Sequence, residues 1–339
     1  MGTGHITGGL GNKSNLSGMG EAFQGVHEYG GGAYAVRGGV VVHADFADQR
    51  LYRLERGAAP VAITPEPPAP RSLRYADGAF SPDGRWMVWV RERHGDDGID
   101  NELVRLPVDG SAAPVVIASG HDFYSTPRFS PDGTRLAFLA WDQPNMPWDG
   151  TEVLVADVRA DGSLGEPRVV AGGPDESIFQ PEWSPDGVLH FVSDRTGWWN
   201  LHRDEPGGAR NLAPRAEEFG SPQWLFAYST YGFLADGRIV CIRETAGSNL
   251  VGILDPATGE LIDLDLPYGV VAPFVAAAGS TVALVVGGAG AAGTLQPFGI
   301  IFAVLGLFCG AAYVLLSSKL VRTVPVLPLV ASQLLVAAL

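Results

Sequence analysis

Charge nearly vanishes from the end of this 339-residue chain: beyond Asp265 only Lys319 and Arg322 carry any. Basic residues are scarce throughout, 23 Lys and Arg against 37 Asp and Glu, giving a net charge of −14. Nucleic acid is therefore not expected as a partner, because phosphate binding needs clustered Lys and Arg. Such acidity serves solubility first, with attraction of a basic or amino-terminal ligand as the second reading. Cysteine is limited to Cys241 and Cys309, which fall in different segments. They read as buried thiols of a reducing compartment rather than as a disulfide. The first 25 residues hold eight Gly and no apolar core of signal-peptide length, so 1–25 reads as a disordered leader. Met1-Gly2-Thr3-Gly4-His5-Ile6 also lacks the Ser or Thr that a myristoylation signal needs.

Several chemical signatures are missing as well. Gly-x-Ser-x-Gly occurs nowhere, so no serine stands on the sharp strand-to-helix turn that exposes a hydrolase nucleophile. The seven His form no His-x-x-His or His-Glu-x-x-His pair, and no metal site is expected. The acidic run His94 to Glu102 fails the EF-hand spacing, because Gly98 stands where an oxygen ligand belongs, and reads as a solvated hairpin loop. Gly288, Gly290 and Gly293 match the dinucleotide fingerprint in letters only. No Asp or Glu follows to hold a ribose, so a flexible linker at 287–296 is the reading and no cofactor is expected.

What the chain has instead is a repeat. Phe80-Ser81-Pro82-Asp83-Gly84, Phe129-Ser130-Pro131-Asp132-Gly133 and Trp183-Ser184-Pro185-Asp186-Gly187 begin 49 and 54 residues apart. A worn copy, Phe233-Leu234-Ala235-Asp236-Gly237, follows 50 residues later. Each is a turn in which proline presets φ, Asp caps, and Gly supplies positive φ. Each is followed by a short apolar strand, as in Leu136 to Ala140. A period near 50 that repeats a turn between strands predicts an all-β fold, a β-propeller with one copy per blade. The blades can be walked from Val26, with four-stranded blades starting near Tyr34, Phe80, Phe129, Trp183 and Tyr231. Val275 to Val286 reads as half of a sixth, hinged at Gly279-Ser280. That gives about five and a half blades over 26–286, and an unclosed ring leaves strand edges unpaired.

The tail differs. Phe298 to Ser318 is an uncharged run of 21 residues, the length of a bilayer-spanning helix, and Lys319 and Arg322 follow it. Val326 to Leu339 is a second apolar run of 14 residues. Segment 297–339 thus predicts a helical hairpin with a cytoplasmic turn, anchoring a cytoplasmic propeller to the inner membrane. A buried core helix is the alternative for the first run.

Four polar residues are the candidate ligand contacts. Glu176, Gln180 and Glu182 lead into a blade, where carboxylates could hold a ligand amine, although solvation of a strand start is the commoner explanation for such residues. Arg195, in Ser193-Asp194-Arg195-Thr196-Gly197-Trp198-Trp199-Asn200, could reach a ligand. Alternatively an Asp–Arg pair fixes a hairpin there, with Trp198 and Trp199 packing between blades. No catalytic residue is assigned.

Several strings go beyond a generic propeller: His27-Glu28-Tyr29-Gly30-Gly31-Gly32-Ala33-Tyr34, Asn145-Met146-Pro147-Trp148-Asp149-Gly150-Thr151-Glu152, Gln180-Pro181-Glu182-Trp183, and Ser193 to Asn200. In this order they resemble the amino-terminal propeller of S9-family peptidases of the prolyl oligopeptidase clan, the acylaminoacyl-peptidase and dipeptidyl-aminopeptidase branch. The resemblance covers roughly Val26 to Val286. It implies a PD40/TolB-like propeller that caps a serine hydrolase domain and gates peptides by size. The hydrolase motifs have no counterpart here, so the expectation is a non-catalytic, peptide-binding portion, with peptides or a hydrolase supplied in trans as partners. The tail from Gln296 to Lys319 resembles a helix of EamA-type drug/metabolite transporters. Two other readings follow: a TolB-like interaction propeller anchored to the membrane, and an EamA-like transporter fragment.

Overall fold

The structure, a computed structural model, describes residues 24–289 except 29, 246 and 267. The chain divides into two units, Met1–Gly288 and Ala289–Leu339, and apart from Ala289 the described residues belong to the first. The predicted helical hairpin and EamA-like segment at 297–339 lie outside the described residues, as do 1–23 of the leader and 290–296 of the linker. Among the described residues no helix is long and apolar enough to cross a membrane.

The described body is all-β, five four-stranded antiparallel sheets and one two-stranded sheet, an arrangement of the propeller type. Blade 1 holds β1 (Tyr34–Arg37), β2 (Val40–Ala44), β3 (Leu51–Glu55) and β4 (Val61–Ala62). Blade 2 holds β5 (Leu73–Phe80), β6 (Trp86–Gly95), β7 (Gly98–Pro107) and β8 (Val115–Ser119). Blade 3 holds β9 (Phe123–Phe129), β10 (Arg135–Trp141), β11 (Thr151–Asp157) and β12 (Arg168–Gly173). Blade 4 holds β13 (Ile178–Trp183), β14 (Leu189–Ser193), β15 (Asn200–Arg203) and β16 (Arg210–Asn211). Blade 5 holds β17 (Tyr231–Phe233), β18 (Ile239–Thr245), β19 (Ser248–Leu254) and β20 (Leu261–Asp263). The two-stranded sheet pairs β21 (Tyr268–Ala278) with β22 (Thr281–Ala289) across the Gly279-Ser280 turn.

The repeated turn joins the first and second strands of a blade, so blades 2 to 4 begin earlier than the repeat spacing suggests, at Leu73, Phe123 and Ile178. Glycine behaves as expected, with φ of 73°, 74° and 80° at Gly84, Gly133 and Gly187. Serine carries more of the turn than expected. The Ser81 hydroxyl donates to Asp83 Oδ1 at 2.6 Å and accepts from the Trp86 N–H at 3.0 Å, and Ser130 does the same with Asp132 and Arg135. These bonds hold the Asp83 and Asp132 carboxyls down at about 2, the serine contributing most. In the worn copy Leu234 has no hydroxyl, and Asp236 pairs with Arg238 as Asp83 pairs with Arg85 beside its serine.

The cores lie between blades. In β10 the alternating residues Leu136, Phe138 and Ala140 pack toward blade 2, while Ala137 and Leu139 pack toward blade 4. A strand covered on both faces reads as a continuous apolar run, which is why Leu136 to Ala140 carries no polar side chain. Burying each large side chain stabilises the body by about 1.5–3 kcal/mol. The first strands neighbour one another in sequence, β1 against β5, β5 against β9 and β9 against β13, which makes them innermost.

Gln24, the first described residue, is buried and donates to the Gly31 carbonyl, while the Gly25 N–H donates to Gln49. At the other end β22 runs through Ala289, so 287–289 are strand. Cys241 is a buried free thiol, pushed up to about 12 by burial, and Cys309 lies outside the described residues.

Candidate functional site

Each innermost strand of blades 2 to 4 is interrupted by a bulge: the register shifts between Ala76 and Ala79, opposite Ala137 and Leu139, and between Phe179 and Glu182. At each bulge a non-glycine residue takes positive φ, Asp77 at 54°, Thr126 at 53° and Gln180 at 47°. Such a backbone is disfavoured by about 1–2 kcal/mol for an L-residue and persists only where its surroundings hold it. At two of the bulges the side chain runs sideways into the next blade. Asp77 Oδ2 accepts from the Thr126 N–H at 2.6 Å, and Gln180 Oε1 accepts from the Thr230 N–H at 2.7 Å. Thr126 is shorter, and its hydroxyl donates to its neighbour Ser125 at 3.3 Å.

The sequence candidates fall into this framework. Gln180, only 4% exposed, also donates to the Tyr231 carbonyl at 2.8 Å and clasps blade 4 to blade 5. Glu182 accepts from Arg128 Nε at 2.8 Å, and Arg128 also reaches Asp77 Oδ1 at 3.5 Å, giving a charged chain across blades 2, 3 and 4. Burial alone would lower the Arg128 pKa, but the two carboxylates raise it, so it stays charged. Glu176 accepts from Arg195 Nε at 2.9 Å and from the Ser193 hydroxyl at 2.6 Å. The partner of Arg195 is thus Glu176, not an Asp, while Asp194 caps the Ser177 N–H at 2.7 Å. Trp199 stacks with Phe179 and packs into the core between blades 4 and 5, whereas Trp198 is 42% exposed. All four candidates are engaged by protein groups, and Gln180 also lines a cavity.

That cavity, of about 230 Å³, opens where blades 3 and 4 meet. Its walls are aromatic: Phe123 and Trp141 from blade 3, Phe179 from blade 4, Trp148 from the β10–β11 loop, and Trp224 and Phe226 from the segment before β17. Ser125, Thr126 and Gln180 supply polar groups, all three nearly buried. Trp224 lies 4.3 Å from Trp148, ring centre to ring centre, and is 50% exposed, so this pair forms the mouth. His27 closes the far side, edge-on to Phe123 and Trp141. Burial pushes its imidazole down to about 4, with Asn101 pulling the other way, and its Nε2 is buried without a hydrogen bond. The segment carrying His27 is pinned by the parallel bridge between Gly31 and Phe226. A Cβ at Gly31 would stand 2.6 Å from the Phe226 carbonyl, and φ there is +84°, so only glycine allows this approach.

Sequence reasoning missed the cavity. Its traces in the sequence are Gln180, named as a candidate contact, and the strings His27 to Tyr34 and Asn145 to Glu152, which carry the family likeness and supply His27, Gly30, Met146, Pro147 and Trp148 to the lining. Among the described residues no group of three or more His, Cys, Asp or Glu side chains converges as a metal site would.

Solved structures place this geometry among known proteins. A puromycin hydrolase is 37% identical over 78% of this chain, with a TM-score of 0.73. A puromycin-hydrolyzing peptidase of Mycobacterium tuberculosis is 39% identical over 79%, again at 0.73. This chain covers 43% of the length of each. A prolyl endopeptidase structure, 16% identical over 75% of this chain and 39% of its own, shares the fold at a TM-score of 0.53. These neighbours support an S9-like propeller. No family model and no curated protein matches the chain.

Proposed function

We propose that residues 24–289 are the peptide-binding and gating portion of an S9-type serine peptidase, and that they do not carry the cleavage chemistry. The likeness to the two puromycin-hydrolyzing proteins, at 37% and 39% identity, is the observation that supports this reading. Acyl transfer to a serine needs a base within hydrogen-bond reach of its hydroxyl. Ser125, the serine lining the cavity, is bonded to the Thr126 hydroxyl, and the cavity's histidine leaves its Nε2 without a partner. Peptides are the ligands in this reading, and a hydrolase domain acts beside the propeller. The full chain, incubated with chromogenic aminoacyl and acyl-peptide substrates, is expected to give no turnover above a buffer blank. Turnover by the purified chain overturns the non-catalytic reading.

Membrane association through 297–339 is a separate proposal, supported by the uncharged run of 21 residues from Phe298 to Ser318. Fractionation of the full chain beside a chain lacking 297–339 tests it. A full chain that remains in the supernatant overturns it.

A further inference from the structure

We propose that the cleft beside the connection from blade 1 to blade 2 takes a single carboxylate of a peptide, terminal or on an acidic side chain, and that Arg71 receives it. This assignment rests on the reading of the propeller as a peptide-binding body and adds a charge requirement to it.

The backbone at Arg71 is the first observation. Ala69 to Ser72 form a turn, closed by the Ser72 N–H donating to the Ala69 carbonyl at 3.1 Å, with Pro70 and Arg71 at its centre. Arg71 has a φ of 59°, at the position where a turn with proline before it ordinarily carries glycine or asparagine. Either would make the same turn with less strain. A strained residue of another type points to a use for its side chain.

That side chain is exposed and held in place. Its guanidinium lies over the Phe46 ring of the β2–β3 loop, 4.6 Å from the ring centre. Stacking covers the flat face and leaves the N–H groups at the edge, the fork that grips a carboxylate by two bonds.

The neighbouring charges are already paired. Arg74 Nη1 donates to Glu28 Oε1 at 2.5 Å and to the Gly25 carbonyl at 2.7 Å, and His94 Nε2 stands 3.0 Å from Glu92 Oε2. Among the described residues no carboxylate pairs with Arg71, so it supplies the one uncompensated charge of the lining, positive on a chain of net charge −14. One carboxylate balances it. Glu28, at the same cleft, repels a second negative charge and disfavours a phosphate dianion. The cleft, of about 680 Å³, exceeds a small ion and has room for the residues attached to the carboxylate, with Pro70 as an apolar wall. It shares no described lining residue with the cavity between blades 3 and 4.

Ligand-observed NMR titration of the full chain tests the assignment with three blocked dipeptides. N-acetyl-alanyl-alanine carries a terminal carboxylate, N-acetyl-alanyl-glutamate α-amide carries one on its side chain, and N-acetyl-alanyl-alaninamide carries none. Saturable binding of at least one acidic peptide is expected, about tenfold tighter than the neutral one. Equimolar inorganic phosphate is expected not to displace it. Arg71→Asn, which accepts positive φ, should bring the acidic peptides down to the affinity of the neutral one and leave the denaturant midpoint in place. Equal binding of the neutral peptide, displacement by phosphate, or unchanged affinity in Arg71→Asn overturns the subsite. A lowered midpoint in Arg71→Asn makes Arg71 a structural residue and overturns it as well. No binding of any of the three overturns the peptide-binding reading along with the subsite. Turnover of chromogenic substrates alongside carboxylate-selective binding overturns only the non-catalytic reading.

Discussion

The junction of blades 2 and 3 and the junction of blades 3 and 4 are built from the same bulge, yet one is closed and the other opens into a cavity. At the first, Asp77 reaches across to the Thr126 N–H and to Arg128. At the second, Thr126 stops at Ser125, and the space beside it is lined with aromatic rings. Side-chain length at one position of a repeated element thus separates a structural clasp from an open hollow. Arg128 belongs to both junctions, since Glu182 holds it from blade 4.

The largest effect should come from breaking the closed junction. Asp77→Ala leaves a buried N–H without its acceptor and weakens a buried ion pair, and about 3–5 kcal/mol of stability should be lost in denaturant titration. Asp77→Asn keeps an acceptor and should lose less. Acid acts on the open junction through His27. Its folded pKa of about 4 lies below the unfolded value of 6.5, so the unfolded chain takes up the proton first. Stability should therefore be full above pH 6.5, fall by up to about 3 kcal/mol as the pH drops to about 4, and level off below. His190, also held at about 4 by burial, contributes in the same window. Denaturant titration across that window should show a shallower fall in His27→Phe and in His190→Phe, each relative to the unaltered chain. Gln180→Ala removes the clasp to blade 5 and should cost about 2 kcal/mol by the same titration. Trp224→Ala removes a half-exposed ring packed against Trp148 and should cost about 0.5–1.5 kcal/mol by the same titration.

The blade count was legible because Ser-Pro-Asp-Gly is local chemistry: proline, serine, aspartate and glycine determine the turn with little help from the rest of the molecule. The frame was less legible. The turn follows the innermost strand, and strings such as Ser125-Thr126-Pro127-Arg128 carry a bulge and a proline that hide their strand character. Glu176 and Arg195 stood out as polar residues, but their pairing depends on a hairpin that brings β13 and β14 together. Of the cavity only Gln180 was named as a contact, and the enclosure itself was not legible. Its walls come from separate segments, each aromatic residue being indistinguishable in sequence from core packing.

The bridge between Gly31 and Phe226 has a consequence for the order of assembly. A chain emerging from the ribosome can pair the strands of blades 2 and 3 as soon as they are made, because their partners are close in sequence. Gly25 and His27 can bond Gln49, Arg74 and Glu92 early, but the bridge at Gly31 must wait until Phe226 has been synthesised. The hollow beside Thr126 is therefore finished only when the segment before β17 arrives, and a nascent chain halted before that point would hold its first blades without the pocket.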